Sequence, residues 1–311
     1  MANHDISLSQ ALWPADLEQA PMDDENFRKM AEDVKRPRAP GISVFRNAPI
    51  HALPATVEPR EVEPEPIMLA PHKPERVWES LNPVTLNEAV LNGNGLFTQP
   101  QQFSGTQYFD ILRTRLLHAM QEHGWKRIAI TSPTHGCGKT FVAVNLALSL
   151  ARRPSSRTVL LDLELRQPGV AKLLGLGDVG HIREFLNGEQ PLESHFRRVG
   201  RTLALGLNDR AMLDAAEVLH EPSTAEALAA MTDALNPELV VIDAPPVLMS
   251  DDVLALLPQL DAVLLIVDGT KTTAAEVRAC ERLFDGQCPL MGVVLNRAQD
   301  RGLGRYRYGN T

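Results

Sequence analysis

The stretch IAITSPTHGCGKTFVAVNLAL, from Ile128 to Leu148, carries the strongest structural signal in this chain. A short apolar run leads into a glycine-containing turn, and an apolar pattern with the period of a helix follows it. Gly136 and Gly138 allow backbone N–H groups to close around oxygen atoms, and the positive end of the helix dipole points at them. Lys139 adds an ammonium group, and Thr140 adds a hydroxyl that can hold Mg²⁺. A strand, a turn and a helix in this order predict a loop that binds nucleotide phosphates.

The loop has a variant spacing. The common pattern GxxxxGK[ST] places a glycine six residues before the lysine, where this chain has Pro133. The dimerising partition and division-site ATPases carry a signature lysine five residues before the loop lysine, and this chain has Thr134 there. The sequence therefore argues against a nucleotide-sandwich dimer of that kind. The residues predicted to contact the nucleotide are Gly136, Cys137, Gly138, Lys139, Thr140 and Phe141.

Apolar runs alternate with helical patterns from about residue 105 onward. Runs that are apolar almost throughout, with helices between them, are typical of a parallel sheet covered on both faces. The sequence therefore predicts a doubly wound, mostly parallel α/β sheet. The predicted strands lie at 126–132, 157–164, 201–207, 238–246, 261–269 and 290–297, and the predicted helices begin near Tyr108, at 139–153, in a region to about 235 and at 272–284.

Acidic residues follow two of these runs. Asp162 and Glu164 alternate at the end of an extended segment, so both can face the crevice at the carboxyl ends of the strands, where open α/β sheets bind ligands. Asp243 ends another apolar run and is expected to hold Mg²⁺ directly or through water. Asn296, at the end of the last predicted strand, either reads the edge of a purine or satisfies a loop.

The first hundred residues differ from the rest in composition. They contain 13 of the 23 prolines, which leave little room for helices and little apolar surface to bury. We predict a disordered tail over residues 1–100. Either short amphipathic pieces at 24–35 and 84–93 order when a partner binds, or the tail is a solubilising linker without a specific role. A nucleotide-binding domain at 101–300 and a flexible tail at 301–311 complete the predicted organisation.

The overall charge and the cysteines limit the function classes. A net charge of −8 over 311 residues disfavours a general nucleic-acid binder. Three cysteines, without a CxxC pair or a signal sequence, favour a reducing cytoplasm. The longest apolar runs are far shorter than the ~18 residues of a membrane span, so we expect membrane association only through a partner or a surface charge patch.

Four segments in order resemble the bacterial tyrosine kinases (BY-kinases) of capsule and exopolysaccharide synthesis. They are TSPTHGCGKT (131–140), LLDLELRQPG (160–169), VVIDAPPV (240–247) and VVLNR (293–297). The family has its own loop form, T-S-x-x-x-G-x-G-K-[ST], in which a glycine is not required at Pro133. The resemblance implies a P-loop NTPase fold of the MinD/ParA-like superfamily.

The resemblance also implies a site and a reaction. ATP and Mg²⁺ are the implied cofactors, with Lys139 on the β- and γ-phosphates and Thr140, Asp162 and Asp243 around the metal. Asp162 orients the metal or accepts the tyrosine proton, and Glu164 takes the place of the second acid. The implied phosphosites are Tyr306 and Tyr308 in the C-terminal tail.

The implied setting is the inner face of the plasma membrane, where the chain works with a membrane polysaccharide co-polymerase or chain-length regulator and can form a homo-oligomer. Three features depart from the family pattern. Glu164 replaces the second aspartate of the family's D-x-D-x-R, and the leading helix has Gln107, Asp110 and Arg113 in place of E-x-x-R-x-x-R. The tail holds two tyrosines where the family has a cluster. Two alternatives therefore stay open, a non-kinase ATPase switch and a regulatory pseudokinase that binds nucleotide and acts through protein contacts.

Overall fold

An eight-stranded sheet forms the centre of the computed structural model, which describes residues 73–98 and 105–298. The spatial order of the strands is β1-β4-β5-β3-β6-β2-β7-β8. Every neighbouring pair is parallel except β4 and β5, which are antiparallel. The mostly parallel α/β sheet predicted from the sequence is confirmed. The strands are β1 Asn82–Pro83, β2 Arg127–Thr131, β3 Thr158–Asp162, β4 Arg197–Val199, β5 Leu203–Gly206, β6 Leu239–Asp243, β7 Ala262–Asp268 and β8 Leu290–Asn296.

Helices cover both faces of the sheet. Strands β2, β3, β6 and β7 are buried almost completely, and the two buried apolar clusters lie on opposite faces because alternate strand residues point to opposite sides. The helices are α1 Pro74–Ser80, α2 Glu88–Gly93, α3 Thr106–His123, α4 Lys139–Ala151, α5 Val170–Leu174, α6 Ile182–Leu186, α7 Leu192–His195, α8 Ala215–His220, α9 Pro222–Leu235, α10 Asp252–Leu256 and α11 Ala274–Phe284.

Residues 73–98 pack onto the domain, which corrects the predicted boundary at residue 100. Trp78 is only 2% exposed, and the guanidinium of Arg157 lies 5.2 Å from its ring centroid. Leu91 and Leu96 are buried in one of the two apolar clusters. Proline density misled the prediction here, because Pro74 occupies the first turn of α1, where proline is tolerated. The predicted piece at 24–35 lies outside the described residues.

The predicted amphipathic piece at 84–93 contains α2. The side chain of Asn87 accepts hydrogen bonds from the N–H groups of Ala89 (2.9 Å) and Val90 (3.4 Å), which caps the helix. The helix packs against the domain, and its Leu91 is 1% exposed. The sequence did not predict β1 and β4, since two- and three-residue strands rich in arginine and asparagine carry no apolar pattern.

Helix α3, predicted to begin near Tyr108, packs against α4 through polar contacts. Asp110 accepts a hydrogen bond from the Ser149 hydroxyl at 3.0 Å and forms an ion pair with Arg152. Arg113 donates to the carbonyl oxygen of Ser149 at 3.0 Å. Two of the three residues at the family's helix motif therefore make contacts within this chain. Among the described residues, no helix has both the length and the apolarity to cross a bilayer.

Candidate functional site

The candidate site lies where β2, β3 and β6 end. Asp162 on β3 is paired in register with Asp243 on β6, and β6 is also the neighbour of β2. The loop that follows β2 leads into α4 beside these acids. All three strands are parallel, so their carboxyl ends meet at one edge of the sheet.

The loop has the backbone that its glycines predict. Gly136 and Gly138 have φ values of +80° and +92°, a region that side chains disfavour. A Cβ atom on Gly138 would lie 2.3 Å from Asn296 Nδ2, so the position also lacks space for a side chain. Helix α4 begins at the next residue, Lys139, and therefore directs its N-terminal N–H groups at the loop.

Lys139 is bound by two of the predicted acids. Its Nζ lies 3.0 Å from Glu164 Oε2 and 3.3 Å from Asp243 Oδ1. Burial by itself would lower the pKa of Lys139, but the charges of Asp243 and Glu164 outweigh burial and raise it. The ammonium group is therefore charged and is held at the edge of the loop.

The two carboxylate oxygens of Asp162 have different surroundings. Oδ2 accepts hydrogen bonds from the N–H groups of Gly169 (3.0 Å) and Val170 (2.9 Å). Oδ1 is buried and has no hydrogen-bond partner among the described residues, and the same holds for Asp243 Oδ2. Burial first, and then the charge of Asp243, raise the pKa of Asp162. An unpartnered buried carboxylate oxygen is costly, so the pair is suited to a positively charged ligand.

The donor set fits Mg²⁺. This ion prefers oxygen ligands and commonly takes one or two carboxylates, a hydroxyl and substrate phosphates instead of a closed protein cage. Asp162 and Asp243 supply the carboxylates. Burial raises the pKa of Asp243, and a hydrogen bond from the hydroxyl of Thr140 opposes part of that rise. In the part of the chain that the structure describes, no group of three or more His, Cys, Asp or Glu side chains forms such a cage. Glu164, whose pKa burial raises, faces Lys139 instead.

Two predicted contact residues have other roles in the structure. The amide of Asn296 donates from Nδ2 to the carbonyl of Cys137 (2.9 Å) and accepts at Oδ1 from the N–H of Arg297 (2.9 Å), so it satisfies a loop, one of the two predicted alternatives. The ring of Phe141 packs against Phe109 at 6.1 Å, between ring centroids. Its half-buried side chain belongs to an aromatic cluster with Phe97 and Phe109.

The sequence interpretation missed two ion pairs beside the site. Arg166 binds both oxygens of Asp252 at 2.7 and 2.9 Å, and Asp252 is fully buried. Arg297 binds Asp268 at the end of β7, with 2.6 Å between Nη1 and Oδ2. Asp268 follows an apolar strand as Asp243 does, so the same signal could have identified it. Tyr306 and Tyr308 lie outside the described residues.

The family comparison agrees with this geometry. The ParA family model, described as the NUBPL iron-transfer P-loop NTPase, matches residues 125–300, which include the loop and the three acids. The chain belongs to the ParA family. Membership of the ParA family fits a P-loop at the end of β2 and carboxylates at the ends of β3 and β6.

The curated relatives of this ParA-family chain include proteins named as kinases. The putative tyrosine-protein kinase EpsB of Ralstonia nicotianae is 31% identical over 204 residues, which are 64% of this chain and 26% of EpsB. The succinoglycan biosynthesis transport protein ExoP of Rhizobium meliloti is 28% identical over 58% of this chain and 23% of its own length. The chain thus spans about a quarter of the length of these relatives.

Solved kinase domains share the ParA-family fold seen here. The kinase domain of the Escherichia coli tyrosine kinase ETK is 26% identical, with a TM-score of 0.59, and the match covers 67% of this chain and 81% of that domain. The VpsO kinase domain is 28% identical with a TM-score of 0.55 over 62% of this chain and 96% of that domain. The resemblance to bacterial tyrosine kinases found in the sequence is therefore confirmed.

Proposed function

We propose that this chain is an ATP-dependent tyrosine kinase domain that acts in exopolysaccharide synthesis or export. The observation that carries the proposal is the cluster of Lys139, Asp162 and Asp243 at the phosphate loop, with one unpartnered buried oxygen on each aspartate. An ammonium group beside two such carboxylates suits a phosphate chain bound together with a divalent cation. The names of the relatives supply the kinase and exopolysaccharide assignments, which come to this chain as part of the proposal.

Each residue has a role in the proposed transfer. The N–H groups of the loop and of the start of α4 bind the phosphates, and Lys139 neutralises the β- and γ-phosphates. Thr140, Asp162 and Asp243 would hold Mg²⁺, which supplies further neutralisation of the phosphate oxygens when it is bound. Asp162 either orients that ion or accepts the proton of the tyrosine hydroxyl, because its Oδ1 has no hydrogen-bond partner among the described residues. Catalysis of this kind depends mainly on positioning and charge.

A nucleotide-binding switch without kinase activity is the second candidate, and the Lys139–Glu164 ion pair favours it. Glu164 Oε2 forms an ion pair with Lys139 Nζ at 3.0 Å, and Glu164 is 2% exposed. Phosphates must compete with this buried carboxylate for the same ammonium group. Such competition weakens the contact that phosphate transfer requires, but a switch that only binds and releases nucleotide tolerates it.

Mass spectrometry of the full chain separates the two candidates. After incubation with Mg-ATP, the kinase proposal expects phosphotyrosine at Tyr306 or Tyr308 that phosphatase removes. Lys139→Ala should abolish it together with ATP binding measured by calorimetry, whereas Lys172→Ala, an exposed lysine on α5, should change neither. ATP hydrolysis without phosphotyrosine would support the switch. Equal ATP affinity in the wild type and Lys139→Ala, with both folded, would refute both candidates.

The partner proposed for this domain is a membrane polysaccharide co-polymerase, which would bring the chain to the inner face of the membrane. Its support is the sequence resemblance and the similarity to ExoP, a succinoglycan biosynthesis transport protein. The cytoplasmic segment of such a protein should raise the rate of tyrosine phosphorylation when added to the full chain. An unchanged rate at saturating concentration would contradict the activating role.

A further inference from the structure

Two consecutive residues at the end of β8 donate hydrogen bonds to backbone carbonyls of the phosphate loop. Arg297 Nη1 donates to the carbonyl oxygen of Gly136 at 2.8 Å, and Asn296 Nδ2 donates to that of Cys137 at 2.9 Å. These two carbonyls are consecutive in the loop. The end of the last strand therefore fixes the orientation of two successive peptide groups.

Asp268 fixes Arg297 in turn. Its Oδ2 lies 2.6 Å from Arg297 Nη1, and its Oδ1 accepts from the N–H (2.9 Å) and the hydroxyl (2.7 Å) of Thr270. Asp268 is 1% exposed, so this carboxylate has a single arrangement. The hydrogen bonds from Thr270, followed by Arg297, lower the pKa of Asp268 to about 2, and the ion pair is charged at physiological pH.

The backbone of Arg297 is unusual. Its φ is +54°, in the left-handed region that glycine adopts readily and other residues disfavour. An arginine at such a position is strained, and glycine would relieve the strain. The two contacts of the guanidinium group give a physical reason for arginine here, because glycine has no side chain to bind Asp268 and Gly136.

The geometry of the peptide unit links these contacts to nucleotide binding. In a planar trans peptide, the C=O of one residue points away from the N–H of the next. With the carbonyls of Gly136 and Cys137 held toward β8, the N–H groups of Cys137 and Gly138 point the opposite way. Within residues 73–98 and 105–298, neither N–H group has a hydrogen-bond acceptor. A carbonyl that rotated inward would instead present its negative end to a phosphate.

We propose that Arg297, held by Asp268, is a positioning residue that sets nucleotide affinity by keeping the Gly136 carbonyl turned out of the phosphate cradle, beside the Cys137 carbonyl that Asn296 holds. This inference rests on the proposed nucleotide binding and adds to it a second set of residues that do not touch the nucleotide. Arg297 acts through the loop, and Asp268 acts through Arg297.

Arg297→Gly in the full chain is the decisive variant, because it removes the side chain and relieves the backbone strain. We expect its unfolding midpoint to stay close to that of the wild type, because relief of the backbone strain offsets the loss of the ion pair with Asp268. The dissociation constant of a fluorescent ADP analogue should rise about tenfold, the size expected for a lost charged hydrogen bond. Arg297→Lys should recover part of the affinity. Arg153→Ala, which breaks the 2.8 Å ion pair with Glu238 before β6, is the matched control and should leave affinity unchanged.

A double-mutant cycle tests the link through Asp268. Asp268→Asn should weaken binding, and Asp268→Asn/Arg297→Gly should bind no more weakly than Arg297→Gly alone, because both changes release the same contact. Fully additive losses would overturn the link. Unchanged affinity in Arg297→Gly, or a loss of affinity only in proportion to lost stability, would overturn this inference while leaving nucleotide binding intact. A wild type that does not bind the analogue would refute the proposed function and this inference together.

Discussion

Asp162 and Asp243 face each other in register on neighbouring strands, and each has a buried oxygen without a partner in the described part of the chain. Two buried carboxylates on adjacent strands favour a shared cation. The arrangement ties the affinity for nucleotide to the presence of Mg²⁺, because the phosphates and the two carboxylates would otherwise repel each other.

Asp243→Asn is therefore expected to remove the dependence of nucleotide affinity on Mg²⁺. Wild-type affinity for ATP should be about tenfold or more tighter with Mg²⁺ than with a chelator, since an uncompensated pair of charges costs more than a kcal/mol. In the variant the two affinities should agree within a factor of about two. Calorimetry in both buffers measures the difference, with exposed Asp233→Asn on α9 as the control. A variant that keeps the full Mg²⁺ effect would contradict the metal assignment.

Glu164→Gln is expected to bind ATP more tightly than the wild type. The substitution keeps the size of the side chain but removes the charge that lies 3.0 Å from Lys139 Nζ, so the ammonium group no longer has to leave a buried carboxylate to reach a phosphate. An increase of about fivefold in affinity corresponds to one charged contact of modest strength. If affinity falls instead, Glu164 assists the bound cation and does not compete with the nucleotide.

The stability of the domain is expected to fall in acid because of His195. Burial lowers the pKa of His195 to about 4. The residue is 4% exposed, and its Nε2 has no hydrogen-bond partner within residues 73–98 and 105–298. The unfolded chain takes up the proton near pH 6.5, whereas the folded chain stays neutral until about pH 4. The free energy of unfolding therefore decreases as pH falls between these values, by up to about 3 kcal/mol.

His195→Phe tests the histidine directly. Phenylalanine carries no proton and can occupy a site that already stacks on Phe185, with 6.2 Å between the ring centroids. Urea unfolding at several pH values should show a smaller loss of stability between pH 6.5 and pH 4 in this variant. The exposed His118→Gln should keep the wild-type pH profile. Identical profiles in His195→Phe and the wild type would assign the acid sensitivity to other groups.

Residues 73–98 are expected to remain with the domain under limited proteolysis. Trp78, Leu91 and Leu96 are each at most 2% exposed, so a protease cannot reach this segment without local unfolding. Trp78→Ala should lower the free energy of unfolding by about 3 to 5 kcal/mol, as for other large core side chains. It should also expose a cleavage site between residues 73 and 98, detected by mass spectrometry. A resistant wild-type fragment that begins after residue 98 would contradict the packing described here.

Much of the sheet was predictable because its strands are continuous apolar runs. The segments ending at Asp162, Asp243 and Asp268 carry a strong local signal, and alternation with helices indicated parallel pairing. Strand β4 has no such signal, since its residues are arginines and a valine held by pairing with β5. The N-terminal segment was misjudged because Trp78 is buried by long-range packing, which composition does not report.

The candidate site was predictable in its residue types and less so in its contacts. Glycines at positive φ, the loop lysine and the acids at strand ends each follow from the local sequence pattern. That Glu164 binds Lys139, or that Arg297 binds the carbonyl of Gly136, depends on residues 25 and 161 positions apart in the chain. These side-chain contacts depend on the order of the strands in the sheet, which the spacing of residues in the sequence does not reveal.

The carboxylate of Asp162 connects the proposed cation site to helix α5 and the N-terminal segment. One oxygen holds the N–H groups at the start of α5, and α5 in turn meets the N-terminal segment, where Asn94 Nδ2 donates to the carbonyl of Leu173 at 2.8 Å. A cation drawn to the other oxygen would tighten this series of contacts. Amide hydrogen exchange in residues 169–175 and 88–96 should then slow when Mg-nucleotide is added, and these two peptides would serve as a label-free reporter of ligand binding.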